Sequence, residues 1–269
     1  MISNIHFCSI KTKNKKMKQT PIKFTSTLSA MTIVLMLLLT YLSFSQTTSK
    51  PLATKTLTVA VSVTMTKEKQ QSITPQQSLQ KLKDGNSRFV SGKPLKRNLN
   101  EQVKTTAKGQ FPYAVVLSCI DSRTSTELIF DEGLGDVFNA RIAGNFVNTD
   151  ILGSMEFACK VAGAKLVLVV GHTKCGAIKG ACDYVQLGNL TSVINEIEPA
   201  VDSVKNIDGE RNYKNDAFVQ AVATENVKLA INEIRGKSSI LNEMEKKGEI
   251  IIVGAMYDLE TGKVEFFQN

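Results

Sequence analysis

The chain has 269 residues, 42% of them apolar, enough for one large domain or two small ones with a sizeable core. There is no tryptophan, and five scattered cysteines exclude a small disulfide-stapled fold. The net charge of +8 does not mark a nucleic-acid binder: six lysines and no acid fall within residues 1–45, leaving 27 basic against 25 acidic residues beyond them and no basic stripe.

In chain order, Lys11 to Lys23 form a basic stretch, followed by the apolar run Ala30–Leu42 and the small and polar residues Ser43 to Gln46. Basic, apolar, then small is the order of a secretory signal peptide, assigned to residues 1–45 with a start at Met1 or Met17. Export to the periplasm is expected, with no stable membrane span after processing. The alternative is a membrane anchor in which the leader stays uncleaved, although Ala30–Leu42 is short against the ~20 apolar residues of a spanning helix. Residues 46–72, rich in Thr, Ser, Lys and Gln, read as a flexible linker, and the strand-like Leu57–Met65 is assigned to that spacer.

The folded domain is expected over residues 73–269. Thr74 followed by Pro75 is a helix start, and Leu79, Leu82 and Phe89 give an amphipathic N-terminal helix broken near Gly85. Four short aliphatic runs follow: Tyr113–Cys119, Val137–Ala143, Lys165–His172 and Ile250–Tyr257. Lys263–Phe267, after the turn at Thr261–Gly262, reads as an antiparallel edge strand. Helical patterns fall at Ile151–Ala162, Cys175–Leu187 and Ala217–Ile234. Near-continuous apolar strands separated by helices predict an α/β fold: a central, mostly parallel β-sheet with an antiparallel edge strand, flanked by helices, with an N-terminal helical arm.

In open α/β sheets, ligands bind outside the carboxyl ends of the strands. Cys119 ends one predicted strand, His172 ends another, and Cys175 opens the following helix. Two thiolates and an imidazole suit zinc, and three protein ligands leave a fourth position for chemistry. A fourth cysteine would close the site. Cys8 lies in the leader, and Cys159 and Cys182 lie inside helical patterns, where they read as small buried hydrophobes. The chain has two histidines, and His6 goes with the leader. Asp121 stands two residues after Cys119, within reach of the metal or its water, and Arg123 is placed to hold that carboxylate bidentately.

Cys119-x-Asp121-Ser122-Arg123 together with Gly171-His172-Thr173-x-Cys175-Gly176 resembles the β-class carbonic anhydrases. The resemblance extends through Gly133–Asn145, Gly153–Ala158, Val253–Phe267 and the N-terminal Gly85-Asn86-x-Arg88-Phe89, covering about residues 73–269. It implies one zinc ion per chain on Cys119, His172 and Cys175, and reversible hydration of CO2 to bicarbonate and a proton by zinc-bound hydroxide. Asp121 and Arg123 become the catalytic dyad. Gln110, Phe138 and Phe157 become substrate-site residues of the plant-like, open-site subgroup, and Gly176 a backbone donor to bicarbonate. Val116 stands where the bicarbonate-inhibited subgroup has tryptophan, and is expected beside Phe138 and Phe157 in an apolar pocket. The resemblance also implies a homodimer or homotetramer with pocket residues shared between subunits and the N-terminal helix reaching across. The competing readings are a zinc-dependent COS or CS2 hydrolase on the same fold and a non-catalytic bicarbonate-binding zinc module.

Overall fold

A computed structural model describes residues 63–267. The expected leader, most of the expected linker and most of Leu57–Met65 lie outside those residues. Five strands form one sheet: β1 (Ala114–Ser118), β2 (Val137–Arg141), β3 (Leu166–His172), β4 (Ile251–Tyr257) and β5 (Val264–Phe266). Their spatial order is β2-β1-β3-β4-β5, parallel throughout except for the antiparallel β4–β5 pair. The predicted α/β class and the antiparallel edge are both present. The chain leaves β1 in one direction to make β2 and returns on the other side to make β3. The topological switch point therefore lies between the carboxyl ends of β1 and β3, where Cys119 and His172 were expected.

Successive strand residues point to opposite faces. On one face Val115, Leu117, Val167, Val169 and Ile252 meet the helices α5 (Thr149–Glu156), α6 (Gly176–Cys182), α7 (Leu190–Ser203), α8 (Asp216–Lys237) and α9 (Ser239–Lys246). On the other, Ala114, Val116, Leu166, Leu168 and Val170 meet Leu82 of α2 (Pro75–Val90) and the region of the short α4 (Thr126–Ile129). Val116 is thus fully buried on the face opposite Phe138, and its expected place in an apolar pocket is wrong; the one-residue alternation of a strand puts Val115 there instead.

The N-terminal helix begins as predicted. The Thr74 hydroxyl accepts from the Gln77 N–H at 3.2 Å, and the Gln77 side chain accepts from the Thr74 N–H at 2.9 Å, closing a capping box ahead of Pro75. It is not broken at Gly85. The helix runs unbroken to Val90, and Gly85 is where it touches the backbone of Phe130, so closely that a Cβ would stand 1.8 Å from that carbonyl oxygen. Asn86 fixes the contact: its Nδ2 donates to the carbonyls of Ile129 and Gly262, both at 2.9 Å, and its Oδ1 accepts from the Val264 N–H at 2.9 Å.

Three further expectations change. The end of the expected linker folds as α1 (Lys67–Ser72), with buried Gln70 donating to the carbonyls of Pro112 at 2.7 Å and Ala162 at 2.8 Å. The helix expected over Cys175–Leu187 stops at Cys182, because Tyr184 takes a left-handed conformation (φ 51°). The stretch 187–216, which lies between the last two predicted helices, supplies the core helix α7, whose Ile194, Ile197, Ala200 and Val201 are buried in this chain's own core despite Pro199 within it. The sequence reading also passed over α3 (Leu99–Thr106), whose exposed Leu99 and Val103 give no apolar stripe. Among the described residues no helix is long and apolar enough to cross a membrane.

Candidate metal centre

The parallel register sets β1 and β3 side by side, so the chain leaves both strands at the same edge. Cys119 follows β1, His172 ends β3, and Cys175 caps the start of α6 after a turn in which Lys174 adopts φ 55°. All three are buried, and their ligand atoms lie within 4.8 Å of one another. The two Sγ atoms are 3.9 Å apart. Tetrahedral zinc with Zn–S bonds of ~2.3 Å requires about 3.8 Å between two sulfurs, so the donor pair is spaced for that ion.

The histidine is poised in the same sense. Its Nδ1 lies 2.9 Å from the Thr173 carbonyl, which can only accept, so Nδ1 carries the proton and Nε2 presents a lone pair. Nε2 is buried and has no hydrogen-bond partner among the described residues. A buried acceptor without a partner is costly, and metal ligation would satisfy it.

The thiols are electrically coupled. The hydrogen bond shared with Cys175 holds the Cys119 thiol well below its ordinary range despite burial; contact with His172 and the Gly144 N–H, 3.4 Å from Cys119 Sγ, act in the same direction. Cys175 is pushed up by Cys119 and by burial, while the N–H groups of Ile178 and Ala177 at the start of α6 draw it down. One proton of the pair leaves readily and the second is held, the behaviour of a dithiol that a cation would convert to a dithiolate.

Asp121 sits beside this cluster, its Oδ2 4.0 Å from His172 Nε2. The Arg123 guanidinium grips it bidentately, Nε to Oδ1 at 2.9 Å and Nη2 to Oδ2 at 2.8 Å, and the Arg123 N–H donates to Oδ1 at 3.0 Å. Those hydrogen bonds hold the carboxyl well below the usual carboxylate range, so it stays ionised. The sequence reading assigned no individual role to several residues that build this loop. Arg141, at the end of β2, donates to the carbonyls of Cys119 at 2.9 Å and Asp121 at 2.6 Å. The Thr124 hydroxyl lies 3.1 Å from the Cys119 carbonyl and 2.9 Å from that of Asp121. Arg141 and Gly144 lie within Gly133–Asn145, one of the stretches that carry the family resemblance; nothing local distinguishes Thr124.

Other expected site residues stand elsewhere. Phe138 and Phe157 do meet, edge to face with centroids 6.2 Å apart, and with Val115 line a cleft of about 620 Å³. Phe138 pairs with Val115, four residues before Cys119, which at ~3.3 Å per residue places it about 13 Å back along the strands. Gln110 is exposed and precedes β1, at the end of that strand opposite Cys119. Within one chain neither the Phe pair nor Gln110 joins the metal cluster. Gly176 does stand beside it, as the first residue of α6, exposed and with open space around its Cα. Cys159 and Cys182 are free and buried in the core, burial pushing their thiols up to about 12 and about 11, so both behave as small hydrophobes.

Comparison with known proteins agrees with this geometry. The family model described as carbonic anhydrase matches residues 114–264. Carbonic anhydrase 2 of Mycobacterium tuberculosis is 35% identical over 190 residues, 68% of this chain and 87% of that protein. A carbonic anhydrase of Mycolicibacterium smegmatis is 33% identical over 190 residues, 68% of this chain and 89% of its own length. Among solved structures, the β-carbonic anhydrase CcaA superposes with a TM-score of 0.57 at 22% identity, covering 71% of this chain and 95% of that one. A β-carbonic anhydrase of Aspergillus fumigatus superposes with a TM-score of 0.54 at 26% identity, covering 71% and 89%. With its two thiols and one imidazole gathered at the switch point of a matching sheet, this chain belongs to the β-class carbonic anhydrases.

Proposed function

We propose that Cys119, His172 and Cys175 hold one zinc ion per chain and that the site catalyses the reversible hydration of CO2 to bicarbonate. The observation that carries this reading is the convergence of three buried soft donors, one an unpartnered imidazole nitrogen, beside an ionised carboxylate that is turned away into an arginine fork. When bound, zinc supplies Lewis acidity that lowers the pKa of water from ~15.7 to about 7.

The chain's own residues supply the rest. Asp121 is held as an acceptor, its Oδ2 facing the cluster, and orients a water proton there. Arg123 keeps that carboxylate ionised and aimed, and its bidentate hold keeps Asp121 out of the ligand set, which supports the open-site arrangement. Two thiolate ligands donate more charge than imidazoles would, so the rate is expected to rise toward alkaline pH.

We further propose that the working site needs a second copy of the chain. Phe138, Phe157 and Gln110 are held away from the metal cluster of their own chain, and Phe157 is 51% exposed, as a surface awaiting a partner would be. One of the similar solved structures is described as tetrameric. In such an assembly the apolar Phe138–Phe157 cleft suits an uncharged gas, and Gln110 and the Gly176 N–H suit the oxygens of bicarbonate. Export to the periplasm follows from the order of basic, apolar and small residues in the leader; an N-terminus at Met1 or Met17 on the exported protein would overturn it.

The test is stopped-flow CO2 hydration from pH 6 to 9 with zinc counted per chain. One zinc per chain and a rate climbing across that range are expected. One zinc with no CO2 turnover would overturn the hydratase reading, and turnover of COS or CS2 by the same sample would replace it.

Arg123→Ala is expected to keep one zinc per chain and to lower the rate about 10- to 100-fold, the usual effect of losing a residue that orients a group at the metal. Stability should change little, because Arg123 is 57% exposed and such pairs add little to folding. Arg123→Lys restores the charge but not the planar fork, so it should recover the rate only in part.

A further inference from the structure

The loop that crosses the metal cluster is held from behind by a residue far away in sequence. Gly144 directs its N–H at Cys119 Sγ, 3.4 Å away. Its carbonyl points the other way and accepts from Asn226 Nδ2 of α8 at 2.7 Å, in a buried contact. The two directions are compatible because Gly144 has φ 78°, a left-handed conformation that glycine adopts without penalty. A side chain there would also collide with Ile197 of α7, its Cβ 2.4 Å from Cδ1, so α7 presses on the same residue.

Asn226 is itself rigidly seated. It is 3% exposed, and its neighbour Val227 fills the space left by two glycines of the sheet: a Cβ on Gly171 would stand 2.7 Å from Val227, and one on Gly254 2.9 Å. The backbones of β3 and β4 thereby fix the height of α8, and α8 fixes Asn226.

We propose that Asn226 is a positioning residue for the metal centre: it anchors Gly144 so that the Gly144 N–H stays on the Cys119 sulfur and sets the donor strength of that thiolate. This rests on the reading of Cys119, His172 and Cys175 as a metal site. An N–H···S bond withdraws charge from a thiolate ligand, and groups that orient ligands in this way typically change metal affinity or activity 10- to 100-fold. Among the described residues the hydrogen bond made by the Asn226 side chain goes to Gly144, and it is through Gly144 that Asn226 acts.

The test loads the full chain with Co2+ and reads the sulfur-to-cobalt charge-transfer band, together with metal affinity by chelator competition. Asn226→Ala is expected to move the band to lower energy, as the thiolate regains its charge, and, because the released loop no longer holds the donors in place, to weaken Co2+ binding about 10- to 100-fold. Asn226→Asp, which keeps the volume and loses the N–H donor, should do the same and serves if the alanine variant does not fold. Ala230→Gly, one turn along the same helix, destabilises α8 without touching Gly144 and should leave the band in place. A folded Asn226 variant with an unchanged band and affinity, or an equal shift in Ala230→Gly, would overturn the positioning role while leaving the metal site intact. Failure of the unaltered chain to bind Co2+ would instead overturn the metal-site reading on which the role depends.

Discussion

Replacing His172 by alanine is expected to empty the centre of metal and to lower CO2 hydration by about a thousandfold or more, while the metal-free protein stays folded. Loss of the ion removes several kcal/mol of electrostatic assistance, and each 1.36 kcal/mol is a factor of ten in rate. The fold should survive because the imidazole adds little to the metal-free state. Its Nε2 is a buried acceptor without a partner, which truncation removes, and the one hydrogen bond lost is that from Nδ1 to the carbonyl of the next residue. The two states separate in a melting experiment. A ligand that binds only the folded chain stabilises it by about 4 kcal/mol at a thousand times its Kd. For a folded body of this size that is roughly 8–16 °C. Chelation should therefore lower the melting temperature of the unaltered protein and leave that of His172→Ala where it was. A variant that keeps one zinc per chain and its turnover would show that His172 is not a ligand.

The candidate ligands were legible because the sheet made them so. A parallel strand buried on both faces is written as an uninterrupted aliphatic run, and such runs announce their own ends. Val167 to Val170 lead straight into Gly171 and His172, so one stretch defines both the strand and the candidate ligand at its edge. Asp121 and Arg123 were legible because they lie within four residues of Cys119. Contacts that cross long separations in sequence were not. Asn226 reaches Gly144 across 82 residues, and nothing in the helical pattern of α8 separates it from an ordinary polar position. Phe138 and Phe157 were correctly paired, but their distance from the metal depends on how far back along β1 and β2 they sit, and apolar periodicity carries no such information. Gly85 misled for a related reason: glycine inside a helical pattern reads as a break unless the partner that needs the space is known.

Gly85→Ala should be the most damaging single-methyl change in the described fold. Alanine is the better helix former by about 1 kcal/mol, so propensity alone predicts stabilisation. Geometry predicts the reverse. The new Cβ would stand 1.8 Å from the Phe130 oxygen and 2.8 Å from its carbonyl carbon, and a backbone carbonyl cannot swing aside as the end of a side chain can. For relief, α2 must lift away from the Phe130 backbone. That motion breaks the Asn86 bonds to Ile129, Gly262 and Val264, and pulls Leu82 from the face it packs on. Overpacking of this kind costs about 3 kcal/mol or more, so a fall in melting temperature of roughly 6–12 °C is expected. Gly236→Ala, in α8, is the contrast: a Cβ there meets nothing within 4 Å, and the same methyl should be neutral or stabilising by up to about 1 kcal/mol. Phe130 ends α4, the helix that follows directly on the Cys119–Arg123 loop, so displacement at Gly85 should also weaken metal binding, a change chelator competition would detect. If the two variants melt alike, the close approach at Phe130 does not hold α2 in place, and the support it gives the metal loop falls with it.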